Sequence, residues 1–122
     1  MKTLLLLAGL FAAGAAAAQE PAAGKYRCYQ PPAYTVTAWF ELGEGQARID
    51  GGAPAPFRYD AAAARIDWTT DALAPHRHGF HYPAGAPGDA TGRPTVVLAP
   101  RATARPGQPG WARLPRCYLI TH

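Results

Sequence analysis

The stretch Phe57-Arg58-Tyr59-Asp60-Ala61-Ala62-Ala63-Ala64-Arg65-Ile66-Asp67-Trp68-Thr69 reads as a β-hairpin, and its pairing decides the fold class. Placing Asp60 opposite Arg65 sets Tyr59 against Ile66, Arg58 against Asp67 and Phe57 against Trp68. Residues two apart along a strand share a face. The large apolar side chains Phe57, Tyr59, Ile66 and Trp68 therefore fall on one face and the arginine–aspartate pairs on the other. The apolar face is expected to be core. The charge pairs are expected to be solvated cross-strand partners. The Ala61–Ala64 run is too short to nucleate a helix in isolation and reads as the connecting loop.

Upstream, Tyr34–Leu42 alternates in the same way. Tyr34, Val36, Ala38, Phe40 and Leu42 are expected on one face; Thr35, Thr37, Trp39 and Glu41 on the other. Gly43-Glu44-Gly45 reads as a turn. Pairing Leu42 with Ala47 then places Phe40 opposite Ile49 and Glu41 opposite Arg48. A slip of one residue would set Phe40 against Arg48, so the register is well specified. Further strands are predicted at Gly24–Tyr29, His78–Tyr82, Thr95–Leu98 and from Arg113 to Ile120. Pro115 marks the start of the last one as an edge or a bulge. Gly51–Pro56, Ala84–Gly88 and Pro100–Gly110 read as loops. The last of these is proline-rich and is read as a stiff surface strap or a disordered segment.

About seven or eight short strands with hairpin connections imply an all-β antiparallel barrel, with a β-sandwich as the alternative. The barrel is favoured because Cys28 and Cys117, the two cysteines of the chain, lie near the start and end of this region. A disulfide between them would tie the first strand to the last. If those strands are neighbours, the sheet closes and its exposed edges disappear.

Residues 1–18 carry a short positive start, an apolar run and the small residues Ala16-Ala17-Ala18. That order predicts a secretory signal peptide cut after Ala18, leaving 19–122 as one exported β-domain, periplasmic or secreted. Oxidising conditions after export favour the disulfide. No cysteine sits at the cut, which argues against a lipid anchor, and no later apolar run is long enough to span a bilayer.

Composition closes some routes to function. The chain contains no serine and no asparagine, which excludes a serine nucleophile and Asn-linked glycans. Charge is unevenly placed: residues 19–71 hold five basic and seven acidic residues, residues 72–122 six arginines and one acid, Asp89. A basic half can face an anionic surface such as lipid headgroups, envelope polysaccharide or nucleic acid. Basic residues interleaved with aromatics are also found in single-strand nucleic-acid binders built on small barrels. Export argues against that use here.

Three functional readings follow. The first is a non-enzymatic β-domain that binds an envelope component, whether a glycan, a lipid headgroup or a protein. Its candidate residues are Trp39, on the expected polar face with Thr37 and Glu41, and Trp111 after the proline-rich loop. An outward tryptophan can stack on a sugar or enter a partner's pocket. The second is a metal-binding protein using His76, His78 and His81, with His122 as a possible fourth ligand. In a strand, His76 and His78 share a face and His81 points the other way, so convergence needs a loop or a bulge at Gly79. No cofactor other than such a metal ion is implied. The third is a hydrolase with two facing carboxylates drawn from Glu41, Asp50, Asp60, Asp67 and Asp71. Three of these have arginine partners in the registers above, and such a partner lowers a carboxyl pKa, the wrong direction for a general acid.

The strings Gly24-Lys25-Tyr26-Arg27-Cys28, Tyr59-Asp60, Arg65-Ile66-Asp67-Trp68-Thr69 and Leu114-Pro115-Arg116-Cys117-Tyr118-Leu119 resemble those of small secreted bacterial β-proteins. The resemblance implies a fold and carries no activity. Compactness and barrel closure are also similar to lipocalin-type binding barrels, an analogy of fold alone.

Overall fold

The structure is a computed structural model that describes residues 20–87 and 91–121. The expected signal peptide, Asp89 and His122 lie outside the described residues. Eight strands form one closed barrel in which each strand pairs with its neighbours in sequence and the last pairs with the first. They are β1 (Gly24–Gln30), β2 (Thr35–Gly43), β3 (Gln46–Ile49), β4 (Ala55–Asp60), β5 (Arg65–Trp68), β6 (His78–Tyr82), β7 (Thr95–Ala99) and β8 (Arg116–Thr121). Every pairing is antiparallel. Closure gives every strand a neighbour on both sides, although β3 and β4 pair over only two positions.

Both hairpin registers read from the sequence are the ones observed. Phe40 lies opposite Ile49 and Glu41 opposite Arg48; Phe57 lies opposite Trp68 and Asp60 opposite Arg65. Cys28 and Cys117 face each other across β1 and β8 and form the disulfide. The last strand begins after Pro115 rather than at Arg113. Residues 111–113 form a single 3₁₀ turn instead, so Pro115 occupies neither an edge nor a bulge. Its carbonyl accepts from the Leu98 amide at 2.9 Å.

An eight-stranded barrel has an interior just wide enough for side chains to fill. Here Tyr26, Phe40, Ile66, Trp68, Val96, Leu98 and the disulfide are among those that fill it. Tyr26 stacks on Phe40 with centroids 5.1 Å apart, and Trp68 meets Phe40 edge-on at 5.2 Å. The Tyr26 hydroxyl donates to the Ala22 carbonyl at 2.6 Å. Burial pushes its pKa up to about 12, so it stays protonated. Gly79 gives these rings room: a Cβ there would lie 2.7 Å from Val96 Cγ1 and 3.2 Å from Trp68 Cζ2.

A second apolar cluster lies on the outside of the barrel. Phe80, Val97 and Ala99 on the outer face of β6 and β7 are covered by Ala86, Trp111 and the strap that carries Ala104 and Leu114. The buried Arg116 guanidinium donates to the Leu114 carbonyl at 2.8 Å and lies 6.0 Å from the centre of the Trp111 ring. The proline-rich segment is thus a strap over β6 and β7.

Two further expectations need correction. Tyr34 and Val36 do not share the face of Phe40. The β1–β2 register shifts between Cys28 and Tyr29, so that Cys28 pairs with Ala38 and Tyr29 with Val36. Thr37 is the extra residue, a β-bulge, and one inserted residue reverses the alternation beyond it. Val36 therefore shares the outer face with Tyr29 and is 57% exposed. The expected Arg58–Asp67 pair is also replaced. Asp67 engages Arg65 through Nε at 2.7 Å and Nη2 at 3.1 Å, and His78 Nδ1 at 2.6 Å. Arg65 lies two residues from Asp67 on the same outer face, and His78 is its register partner on β6.

Candidate functional site

The disulfide orients the outer face of β1 and β8. Cys28 and Cys117 point inward, so their neighbours Arg27, Tyr29 and Tyr118 point outward. Register then arranges the outer residues in rows around the barrel. One runs Trp39, Arg27, Tyr118, Thr95 and Tyr82; the next runs Val36, Tyr29, Arg116 and Val97. Tyr29 and Tyr118 lie on adjacent rows with centroids 5.8 Å apart and planes tilted by 45°.

These two rings, with Tyr34, Ile120, Thr91 and Arg93, wall a cleft of about 380 Å³. That volume falls within the roughly 300–1,000 Å³ range of small-molecule sites. The backbone around it is firmly held. The Tyr34 amide donates to the Gln30 carbonyl at 2.8 Å, and Tyr34 occupies the left-handed region with φ 57°. That region is strained for a non-glycine residue. The Gln30 side chain donates to the Arg113 carbonyl, tying this turn to the end of the strap. On the opposite wall, Thr95 Oγ1 donates to the Arg93 carbonyl at 2.8 Å, and the Leu119 amide donates to the Pro94 carbonyl at 3.0 Å. Tyr34 itself is 53% exposed. The cleft thus presents tyrosine rings, hydroxyls and the exposed Arg93 side chain on a hydrogen-bonded frame.

The residues singled out from the sequence lie elsewhere. Trp39 is half-buried on the outer face; the Lys25 ammonium sits 4.3 Å from its ring centre and Gly51 lies against its edge. Thr37 is at the bulge and lines a cavity of about 210 Å³ that also includes Gln30, Asp50 and His76. Glu41 is exposed between Lys25 and Arg48 in the registers. Trp111 is only 7% exposed. It lines a cavity of about 530 Å³ beneath the strap, with its ring set edge-on against Phe80 and Tyr82.

The histidines do not converge. His76 sits at the cavity with Asp50, where burial lowers its pKa against the opposing effect of a backbone hydrogen bond at Leu73. His78 points outward to Asp67, whereas His81, in the alternate position on β6, is buried beside Tyr59. Among the described residues no group of three His, Cys, Asp or Glu side chains is arranged to hold a metal ion.

The carboxylates are largely engaged. Asp50 accepts from the Trp39 amide at 3.0 Å. Asp60 caps its turn by accepting from the Ala62 and Ala63 amides. Asp71 pairs with Arg77 at 2.9 Å. Asp67 is held below the usual carboxylate range, chiefly by its hydrogen bond from Arg65, with a further contribution from His78. Among the described residues no helix is long and apolar enough to cross a membrane.

Comparison of the chain with protein-family profiles, curated sequences and solved structures returned no match.

The tyrosine cleft was missed from sequence because the bulge hid it. Without a bulge, Tyr34 is assigned to the inward face of β2. A usable signal was nevertheless present. Once Cys28 and Cys117 are paired inward, Tyr29 and Tyr118 must flank them outward on adjacent strands.

Proposed function

We propose that this protein is a non-enzymatic, exported carbohydrate-binding barrel whose ligand seats in the cleft of Tyr29, Tyr34 and Tyr118. The cleft itself carries the reading: tyrosine faces around about 380 Å³ beside Thr91 and Arg93. A pyranose ring has apolar C–H faces and hydroxyl edges. Tyrosine offers the matching pair, an apolar ring body and a polar tip. The packed interior supports an outer-face site over a lipocalin-like internal one. The disulfide and the signal-like leader are compatible with export into a compartment where envelope glycans are exposed.

Isothermal titration of the purified protein against a panel of envelope-type oligosaccharides tests the reading. Tyr118→Ala and Tyr29→Ala are expected to weaken glycan binding by roughly tenfold or more, as for central aromatic contacts elsewhere. Trp111→Phe, under the strap, is expected to leave it unchanged. Binding that survives both tyrosine substitutions overturns the assignment of the cleft.

A further inference from the structure

We infer that the cleft selects an acidic sugar, with Arg93 taking an oxyanion on the pyranose ring and Arg27 a second one further along the chain. This inference rests on the carbohydrate-binding reading and narrows it. Arg93 is the charged residue that lines the cleft. Its backbone is fixed by the Thr95 hydroxyl and its own amide donates to Thr91 Oγ1 at 3.3 Å. Among the described residues no carboxylate forms an ion pair with it. An exposed guanidinium beside aromatic walls presents a planar donor fork that matches a carboxylate, sulfate or phosphate.

The row beyond the cleft continues in the same sense. Arg27 is the register partner of both Tyr118 and Trp39, so it lies between the cleft and the site where the Trp39 ring holds the Lys25 ammonium at 4.3 Å. Neighbouring strands are about 4.8 Å apart, which brings Tyr118, Arg27 and Trp39 within the span of a short oligosaccharide. Two acids border this stretch: Glu41 faces Lys25 and Arg48 in the registers, and Asp50, next to Trp39, accepts from the Trp39 amide at 3.0 Å.

The test compares oligogalacturonates, neutral cello-oligosaccharides and sulfated dextran fragments by titration against the wild type, Arg93→Gln and Arg27→Gln. The wild type is expected to bind an anionic series at least tenfold more tightly than the neutral one, with binding weakened by added salt. Arg93→Gln should remove that preference at every chain length, and Arg27→Gln should lower affinity for oligomers while sparing the monosaccharide, which is too short to leave the cleft. The two anionic series separate carboxylate from sulfate recognition, and preference for either supports the inference. Equal binding of neutral and anionic sugars overturns acidic selection and leaves the carbohydrate-binding reading intact. No binding of any sugar overturns both.

Discussion

Tyr34 and Asp67 show how single side chains divide stability from function here. Tyr34 holds a left-handed backbone that costs a non-glycine residue about 1–2 kcal/mol. Strain of this kind concentrates at functional sites. Tyr34→Gly should therefore leave the melting temperature unchanged or raise it, because glycine adopts this conformation without strain. The same change should lose glycan affinity, as read by parallel thermal melts and titrations. Asp67 works in the opposite sense. Its pKa is lowered from the ordinary 3.8, first by the hydrogen bond from Arg65. The stability it supplies is complete above that value and is lost as pH falls through the lower folded value. Asp67→Asn should cost roughly 1–2 kcal/mol near neutral pH, since Arg65 and His78 both lose a charged partner on a part-exposed surface. The penalty should shrink in acid, which denaturation curves from pH 6 down to about 2 would reveal.

The strands were legible where alternation was unbroken, and obscured where one residue altered the count. The Phe57–Trp68 and Phe40–Ile49 pairings follow from period-two patterning plus charge matching, because a slip would bury arginine. Tyr34 and Val36 depart from the simple alternation because a bulge leaves no composition signal: Thr37 looks like any outward residue until Cys28 is seen opposite Ala38. The Asp67 partners differ from the register pair for a related reason. Register names the residue directly opposite, whereas a long arginine reaches a neighbour on its own strand. Packing within the barrel also sets a limit that sequence alone did not expose. β6 approaches the core so closely that Gly79→Ala would bring a methyl to 2.7 Å from Val96. This change should destabilise the protein by roughly 1–3 kcal/mol through overpacking. Combining it with Val96→Ala should cost less than the sum of the two single changes, a coupling that a double-mutant cycle in urea would measure.

Closure of the whole barrel depends on joining its ends. β1 and β8 are far apart in sequence, and their disulfide spans a separation of 89 residues. A loop of that length carries about 4.6 kcal/mol of chain entropy in the unfolded state, a large fraction of a small domain's stability. Replacing both cysteines by alanine should lower the urea midpoint accordingly, and the reduced wild type should behave alike. The same closure places Tyr29 and Tyr118 side by side, so the site exists only when the barrel is shut. In the sequence Trp39 stands out as a tryptophan on an outward polar face, and the histidines as three within six residues. The proposed cleft depends on a different feature, which outward residues the closing pair of strands makes adjacent. The most direct test is a heteronuclear NMR titration of the purified protein with oligogalacturonate. Shift changes clustered on Tyr29, Tyr34, Arg93 and Tyr118 are the predicted result. Changes centred on the strap around Trp111, on the cavity of Asp50 and His76, or on no residue at all would contradict the assignment.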